Sequence, residues 1–284
     1  MNNNLEIKSV VKKYKSFTLD GISFTVPKGA VVGLIGENGA GKSTTINLLL
    51  NEIKADSGKI NIFGKDHIQY EAENKEKIGF VFDEFNLPDM LNAKEVEGIM
   101  KNVYKKWDSK QFRKLLSEFN LPYDKPFNTF SKGMKVKFEF AIALSHNAEM
   151  LIFDEATSGL DPIMRNDILD MLKKFIAVKD RSILMSSHIL SDLEKIADYI
   201  VFIHQGHIVF EEKKSVLEKE YYIIQTEKEN EDKVNIESAI AKRYKKEKVS
   251  YLIRGERPKD NPGYTILNPD IESIMLFYVG GIKC

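Results

Sequence analysis

A chain of 284 residues, 43% of them hydrophobic, is long enough for one large α/β domain plus a smaller appendage with ample material for a core. Its 42 basic and 42 acidic residues cancel, so no overall field draws it to nucleic acid or to a membrane surface, and specific partners must do that. The single cysteine, Cys284, excludes an internal disulfide or a cysteine-rich metal site and fits a reducing cytosol. No apolar run nears the roughly 20 residues of a bilayer span, and the polar start Met1-Asn2-Asn3-Asn4 does not read as a signal peptide.

Leu5 to Val10 and Ile22 to Val26 alternate apolar and polar positions, which predicts an antiparallel β layer with Asp20-Gly21 turning before the second strand. Tyr14 and Phe17 lie on the connection between them. A flat aromatic near a phosphate loop can stack on a nucleobase, and it can equally be an ordinary half-buried loop residue. Val31-Val32-Gly33-Leu34-Ile35 reads as a buried strand, and Ile46, Leu49, Leu50 and Ile53 fall at helical spacing. Between them stands Gly36-Glu37-Asn38-Gly39-Ala40-Gly41-Lys42-Ser43-Thr44, which fits G-x-x-x-x-G-K-[ST] in the strand, loop, helix context that a phosphate-binding loop requires. The glycines let backbone N–H groups approach phosphate oxygens, and the helix adds the positive end of its dipole. Lys42 is a point charge for the β- and γ-phosphates, and the Ser43 hydroxyl is placed for Mg²⁺.

Asp56-Ser57-Gly58 is a turn, Lys59 to Gly64 an alternating strand, and Lys65 to Lys77 a charged, solvated segment. Ile78 to Phe82 is a short apolar run, a buried strand ending in Asp83-Glu84. Ligands sit at strand ends in open α/β sheets, so these acids either face the nucleotide or are solvated loop residues. From about Asn86 the period changes from two to 3.6. Asn92 with Glu95 reads as a cap and its partner before Val96, Ile99, Met100, Val103, Tyr104 and Trp107; Asp108 with Gln111 repeats the signal before Phe112, Leu115, Leu116 and Phe119. Two helices therefore interrupt the sheet as an inserted subdomain. Phe130-Ser131-Lys132-Gly133-Met134 opens a third helix, where Ser131 is a natural N-cap and the same donor cluster also suits an anion.

Met150 to Glu155 is an apolar strand ending in paired acids, and two carboxylates at a buried strand end need a cation or donors to meet them. With a phosphate loop already in the chain, Mg²⁺ is that cation, Asp154 its holder through water, and Glu155 a general base for an attacking water. Ser158-Gly159-Leu160-Asp161-Pro162 is a turn into a helix, and Ser182 to Ser186 a buried strand. His188 leaves that strand as a donor beside the γ-phosphate position, whereas His67, His146, His204 and His207 read as structural. Tyr199 to His204 and His207 to Phe210 flank the turn Gln205-Gly206. Glu211 to Glu220 reads as a charged helical link, and Tyr221 begins a small separate unit. Lys242 to Lys246 reads as a solvated helix face rather than a nucleic-acid patch. Asn268-Pro269-Asp270 starts a last helix whose stripe Ile271, Ile274, Met275 and Tyr278 is expected to pack on its own small sheet.

Assembled in this order, residues 5 to 218 resemble the ATP-binding cassette subunit of an ABC transporter. The resemblance implies an α/β P-loop NTPase: a RecA-like core with an antiparallel β layer, a helical subdomain inserted at about 86–148, and an α+β C-terminal appendage. It implies an ABC ATPase domain over 1–218 and an accessory domain over 219–284. It also implies ATP with Mg²⁺, and gives roles to matching positions. Tyr14 falls at the adenine-stacking aromatic, Gly36 to Thr44 at Walker A, Asp154 at the Walker B aspartate, Glu155 at the catalytic base and His188 at the switch histidine. Ser158 to Asp161 matches the D-loop, and Phe130 to Met134 the LSGGQ signature, of which Ser131 and Gly133 are kept. A head-to-tail pair of cassettes with two ATP molecules in the seam is implied by that likeness. So are integral membrane subunits as partners, no nucleic acid, and a place on the cytoplasmic face of the membrane. Asp83 stands where the Q-loop glutamine is expected, and Lys132 and Met134 replace a glycine and the glutamine of the signature. Ionised aspartate only accepts hydrogen bonds, so Asp83 is expected to keep a water-mediated Mg²⁺ contact, to lose donation to phosphate and to make turnover unusually dependent on free Mg²⁺. The signature form and the short tail resemble ABC-2 type export cassettes, with peptides as the favoured cargo. A nucleotide-gated cassette with weak hydrolysis and a soluble cassette acting away from membranes are the other readings.

Overall fold

The structure, a computed structural model, describes residues 3–82, 87–233, 236 and 238–284. Strands β1 (Asn3–Lys13) and β2 (Thr18–Pro27) pair antiparallel, and β3 (Val31–Ile35) runs through the glycine loop into helix α1 (Lys42–Leu49). Then come β4 (Ser57–Ile62), β5 (Lys65–Asp66), the short α2 (Glu71–Lys75) and β6 (Ile78–Phe82). The inserted helices are α3 (Ala93–Val103), α4 (Ser109–Glu118) and α5 (Lys132–Leu144). The chain returns through β7 (Met150–Asp154), α6 (Pro162–Ile176), β8 (Ser182–Ser186), α7 (Leu190–Ile196), β9 (Tyr199–His204), β10 (His207–Lys213) and α8 (Lys214–Glu220). It ends with β11 (Tyr221–Glu227), β12 (Ala239–Lys245), β13 (Lys248–Arg254), β14 (Thr265–Leu267), α9 (Ile271–Gly280) and β15 (Ile282–Lys283).

Among the described residues these strands make three sheets, ordered β2-β1-β4-β5, β10-β9-β3-β8-β7-β6 and β14-β11-β13-β12-β15. The middle sheet is parallel from β9 to β6, and only its edge strand β10 runs antiparallel. Every residue of β3 and β8 is buried, as expected of parallel strands covered on both faces. Val32, Leu34, Ile152 and Leu184 face the antiparallel layer, where Leu5, Ile7 and Phe24 meet them together with Ile46 of α1. Val31, Ile35, Phe153 and Met185 face the other way, onto Leu169, Leu172 and Leu193 of α6 and α7. A third cluster around Phe112, Phe127 and Phe138 holds the inserted helices together.

Asp20-Gly21 does not turn the chain. Gly21, at φ +61°, lies inside β2 where the register with β1 slips, and β2 continues because the Asp20 N–H donates to the Gly206 carbonyl (2.9 Å). The β9–β10 turn sits tightly there: the Gly206 N–H donates to Ala40 O, and a Cβ at Gly206 would lie 1.9 Å from the Thr18 carbonyl oxygen. Helix α3 has the expected capping box, but its buried face is Ala93, Val96 and Glu97, while Ile99 and Val103 are exposed. The buried Glu97 is held by Arg113 Nε (3.0 Å), Tyr123 OH (2.7 Å) and Lys101 Nζ (3.0 Å), so an ion-pair cluster occupies what the periodicity assigns to aliphatic residues. Lys65 to Lys77 is not all solvated coil, since it holds β5 and α2 and buries His67 and Asn74. Lys242 to Lys245 is strand, not helix: Ala241 faces inward, and Lys242 and Tyr244 both bond Glu231. Most of α8 matches the expected link, although β10 extends through Lys213.

Helix α9 is capped by Asp270, whose carboxylate accepts the Ser273 N–H at 2.8 Å. It packs on more than its own sheet. Ile271, Ile274 and Phe277 join the cluster that contains Leu193 and Phe202, and the Tyr278 ring lies tilted 5.4 Å from Phe210, which in turn stands 5.5 Å from Phe202.

Candidate functional site

Three neighbouring parallel strands end at one edge of the sheet: β3 beside β8, and β8 beside β7, with Leu34 and Asp154 both registered on Ser186. The segments leaving the three strand ends therefore meet one another, as the ligand-binding edge of an open α/β sheet requires. The loop from Gly36 to Thr44, the acids Asp154 and Glu155, and Ser187-His188 converge there.

The loop geometry depends on its glycines at two points. Gly41 has φ +117°, a conformation that side chains rarely adopt, and a Cβ at Gly36 would lie 2.3 Å from the Ile203 carbonyl oxygen. Lys42 folds back and is nearly buried, donating to Gly36 O (2.8 Å) and Glu37 O (3.2 Å) and pairing with Glu155 Oε1 at 3.1 Å. The other Glu155 oxygen, Oε2, meets His188 Nδ1 at 2.9 Å. One carboxylate thus bridges the loop lysine and the histidine.

Glu155 is a non-glycine residue at φ +50°, which costs energy unless the surroundings hold it. Ser186 is what holds it: the Glu155 N–H donates to Ser186 Oγ (3.1 Å) and to Ser186 O (3.2 Å), while the Ser186 hydroxyl donates to Asp154 Oδ1. One buried serine aims both acids. In the sequence it reads only as a strand residue, and the β7–β8 register, which sets Asp154 opposite it, is what marks it out.

A cavity of about 660 Å³ opens on this edge, lined by Asn38, Gly39, Gly41, Lys42, Ser43 and Thr44 and by Asp154 and Glu155. Its aromatic neighbour is Phe17. Tyr14 is 45% exposed, lies 5.7 Å from the Lys12 ammonium and does not line the cavity, although its N–H donates to the Phe17 carbonyl. Ala40, within the loop, is buried and does not line the cavity. Ser131 and Gly133 are elsewhere: Ser131 caps α5, accepting the Met134 N–H at 3.3 Å, and Gly133 packs on Met164 of α6. Asp161 caps α6, accepting the Ile163 and Met164 N–H groups at 3.0 Å each. The Lys132 side chain reaches Gly159, so the start of α5 adjoins the Ser158 to Asp161 turn. Asp83 lies outside the described residues.

The residues fit a magnesium-bound triphosphate. A glycine cradle at the head of α1, an ammonium and two hydroxyls suit phosphate oxygens, and the Asp154 carboxylate beside them suits a cation carried by those phosphates. Among the described residues no three His, Cys, Asp or Glu side chains cluster to hold a metal by themselves, so a cation here takes ligands from the nucleotide as well.

A family model described as "ABC transporter" matches residues 19–158. The lantibiotic transport ATP-binding protein SrtF of Streptococcus pyogenes is 36% identical over 76% of this chain and 91% of its own length. The bacitracin transport ATP-binding protein BcrA of Enterococcus faecalis is 33% identical over 76% of this chain and 71% of its own. Among solved structures, an ATP-binding subunit of an ABC transporter superposes with TM-score 0.68 at 27% identity, over 75% of this chain and 91% of that one. An ATP-binding cassette solved as a dimer in a post-hydrolysis state with ADP and Pi superposes with TM-score 0.65 at 26% identity, over 74% and 98%.

Proposed function

Since the chain belongs to the ABC transporter family, as an ATP-binding and ATP-hydrolysing subunit that works with membrane subunits, we propose that it powers export of a peptide. Relatives named for bacitracin and lantibiotic transport support that cargo class. No helix among the described residues is long and apolar enough to cross a membrane, which suits a subunit held at the cytoplasmic face by its partners. In this reading residues 1–218 form the ATPase domain and 219–284 the accessory domain. Two cassettes pair head to tail, with Ser131, Gly133 and Asp161 turned to the seam and Tyr14 at the adenine.

The observation that carries the mechanism is the convergence of Lys42, Asp154, Glu155 and His188 at one sheet edge. Backbone N–H groups of the loop and the Lys42 ammonium bind and orient the β- and γ-phosphates. Ser43 and Asp154 would hold Mg²⁺, with Asp83 as a further candidate, and the ion would neutralise charge on the phosphates. A phosphate competes with Glu155 for Lys42, which frees Oε1 to take a proton from the attacking water. His188, bonded to Oε2, fixes the orientation of that carboxylate.

Glu155→Gln tests this. The variant keeps ATP binding, forms an ATP-dependent dimer on size-exclusion chromatography and loses at least about a hundredfold in turnover. Undiminished hydrolysis would assign the base to another residue.

A further inference from the structure

A second cavity, about 240 Å³, lies on the far side of the switch histidine, between the glycine loop and the C-terminal helix. Its wall is apolar: Leu190 of α7, Phe202 of β9, and Met275, Leu276 and Val279 from α9. Gly36, Ser187 and His188 complete the inner side, and the exposed Glu37 and Glu272 stand at the rim. No lysine or arginine lines it. The Glu272 carboxylate has no ion pair among the described residues, and that of Glu37 meets only His204, at 4.0 Å. Leu276 remains 44% exposed although it borders this hole.

Apolar cavities of about 150 Å³ stay dry and take up benzene, so a larger one walled by Phe, Leu, Met and Val has room for a ring and a short chain. The rim decides the charge. Two carboxylates without lysine or arginine partners repel an anion and give a neutral guest nothing, whereas an ammonium at the mouth is attracted to both while its body leaves water. We propose that this cavity binds a small amphipathic cation, an aromatic or branched apolar body carrying one ammonium group. Gly36 and His188 form one wall and α9 the other, so the guest touches the C-terminal unit and the ATPase domain at once, outside the nucleotide cavity.

The test uses phenethylammonium against its isosteres 2-phenylethanol and 3-phenylpropionate, titrated onto the full chain by saturation-transfer NMR at physiological salt. Phenethylammonium is expected to bind about tenfold tighter than the alcohol, a difference that one charge-assisted contact supplies, with no binding of the carboxylate. Val279→Trp, which fills the cavity, removes binding; Glu272→Gln, on the surface of α9, weakens it several-fold while circular dichroism stays native. Tetramethylammonium, which has charge but no apolar body, does not compete. Equal affinity for the three probes, competition by tetramethylammonium, or binding untouched by both variants overturns the proposal. The readout is binding of the probe, so it stands or falls separately from the export reading.

Discussion

Ser186 shows how much one hydroxyl can do at a catalytic edge. It is fully buried, bonds Asp154 and accepts from the Glu155 backbone, and so offsets the left-handed conformation at Glu155. Ser186→Ala should cost about 1–2 kcal/mol of stability in urea melts, and should lower kcat more than it raises KM for ATP, because Lys42 and the glycine loop are untouched. Gly36→Ala should behave in the opposite way. The backbone oxygen that its Cβ meets cannot swing aside, so the loop must shift and ATP affinity, read by calorimetry, falls by tenfold or more (about 1.4 kcal/mol). At this scale the sequence disclosed the residues that meet at the sheet edge, Lys42, Asp154 and Glu155 from motif spacing and His188 from its place after a buried strand. It did not disclose Ser186, whose role comes from a cross-strand register, nor the exposure of Tyr14 beside a cavity that Phe17 lines.

Helices α3 and α5 each bury a glutamate on a face that their periodicity marks as apolar, and the two titrate in opposite directions. Burial pushes the Glu97 carboxyl up, but hydrogen bonds from Arg113, Tyr123 and Lys101 outweigh it and bring it down to about 2. Burial pushes Glu139 up to about 8, and its one hydrogen bond, accepted from the Phe82 N–H at 3.1 Å, recovers only part of that. Proton counting gives the signs. Unfolded Glu97 takes up its proton near 4.5 while the folded form resists to about 2, so its stabilisation is full above 4.5 and is lost as the pH falls through that window. Folded Glu139 keeps a proton that the unfolded chain gives up near 4.5, so stability declines as the pH rises from 4.5 to about 8. Glu139→Gln, which preserves an acceptor for Phe82, should flatten that decline in melting temperatures recorded across pH 5 to 8. In α3, Gly98 has open space around it, and Gly98→Ala should add about 0.5–1 kcal/mol. Caps were legible here, Asn92, Asp108 and Ser131 serving as read, since a cap is a local signal; Asp161 and Asp270, which read only as a turn and a helix start, prove to be caps as well. The basic run at Lys242 reads as helix in the sequence because its strand pairing and its partner Glu231 are set by distant residues.

Across the whole molecule the resemblance implied a RecA-like core with an antiparallel layer, but neither the strand order β9-β3-β8-β7-β6 nor the placing of the last helix was legible. Ile271, Ile274 and Phe277 share a core with Leu193, Phe202 and Phe210, so the C-terminal 66 residues, 219 to 284, are not a detachable tail. Ending the chain at Glu218 would bare that surface, and the shortened protein should aggregate or melt well below the full chain in scanning calorimetry. A different consequence comes from the hairpin tip at Gly206, which hydrogen-bonds Asp20 in one sheet and Ala40 in the nucleotide loop. That tip works as a clasp between two layers, and whatever loosens it must slacken the loop before the rest of the protein gives way. In deuterium exchange, the amides of Asp20 and Gly206 should therefore slow together when nucleotide is added, although neither residue lines the nucleotide cavity.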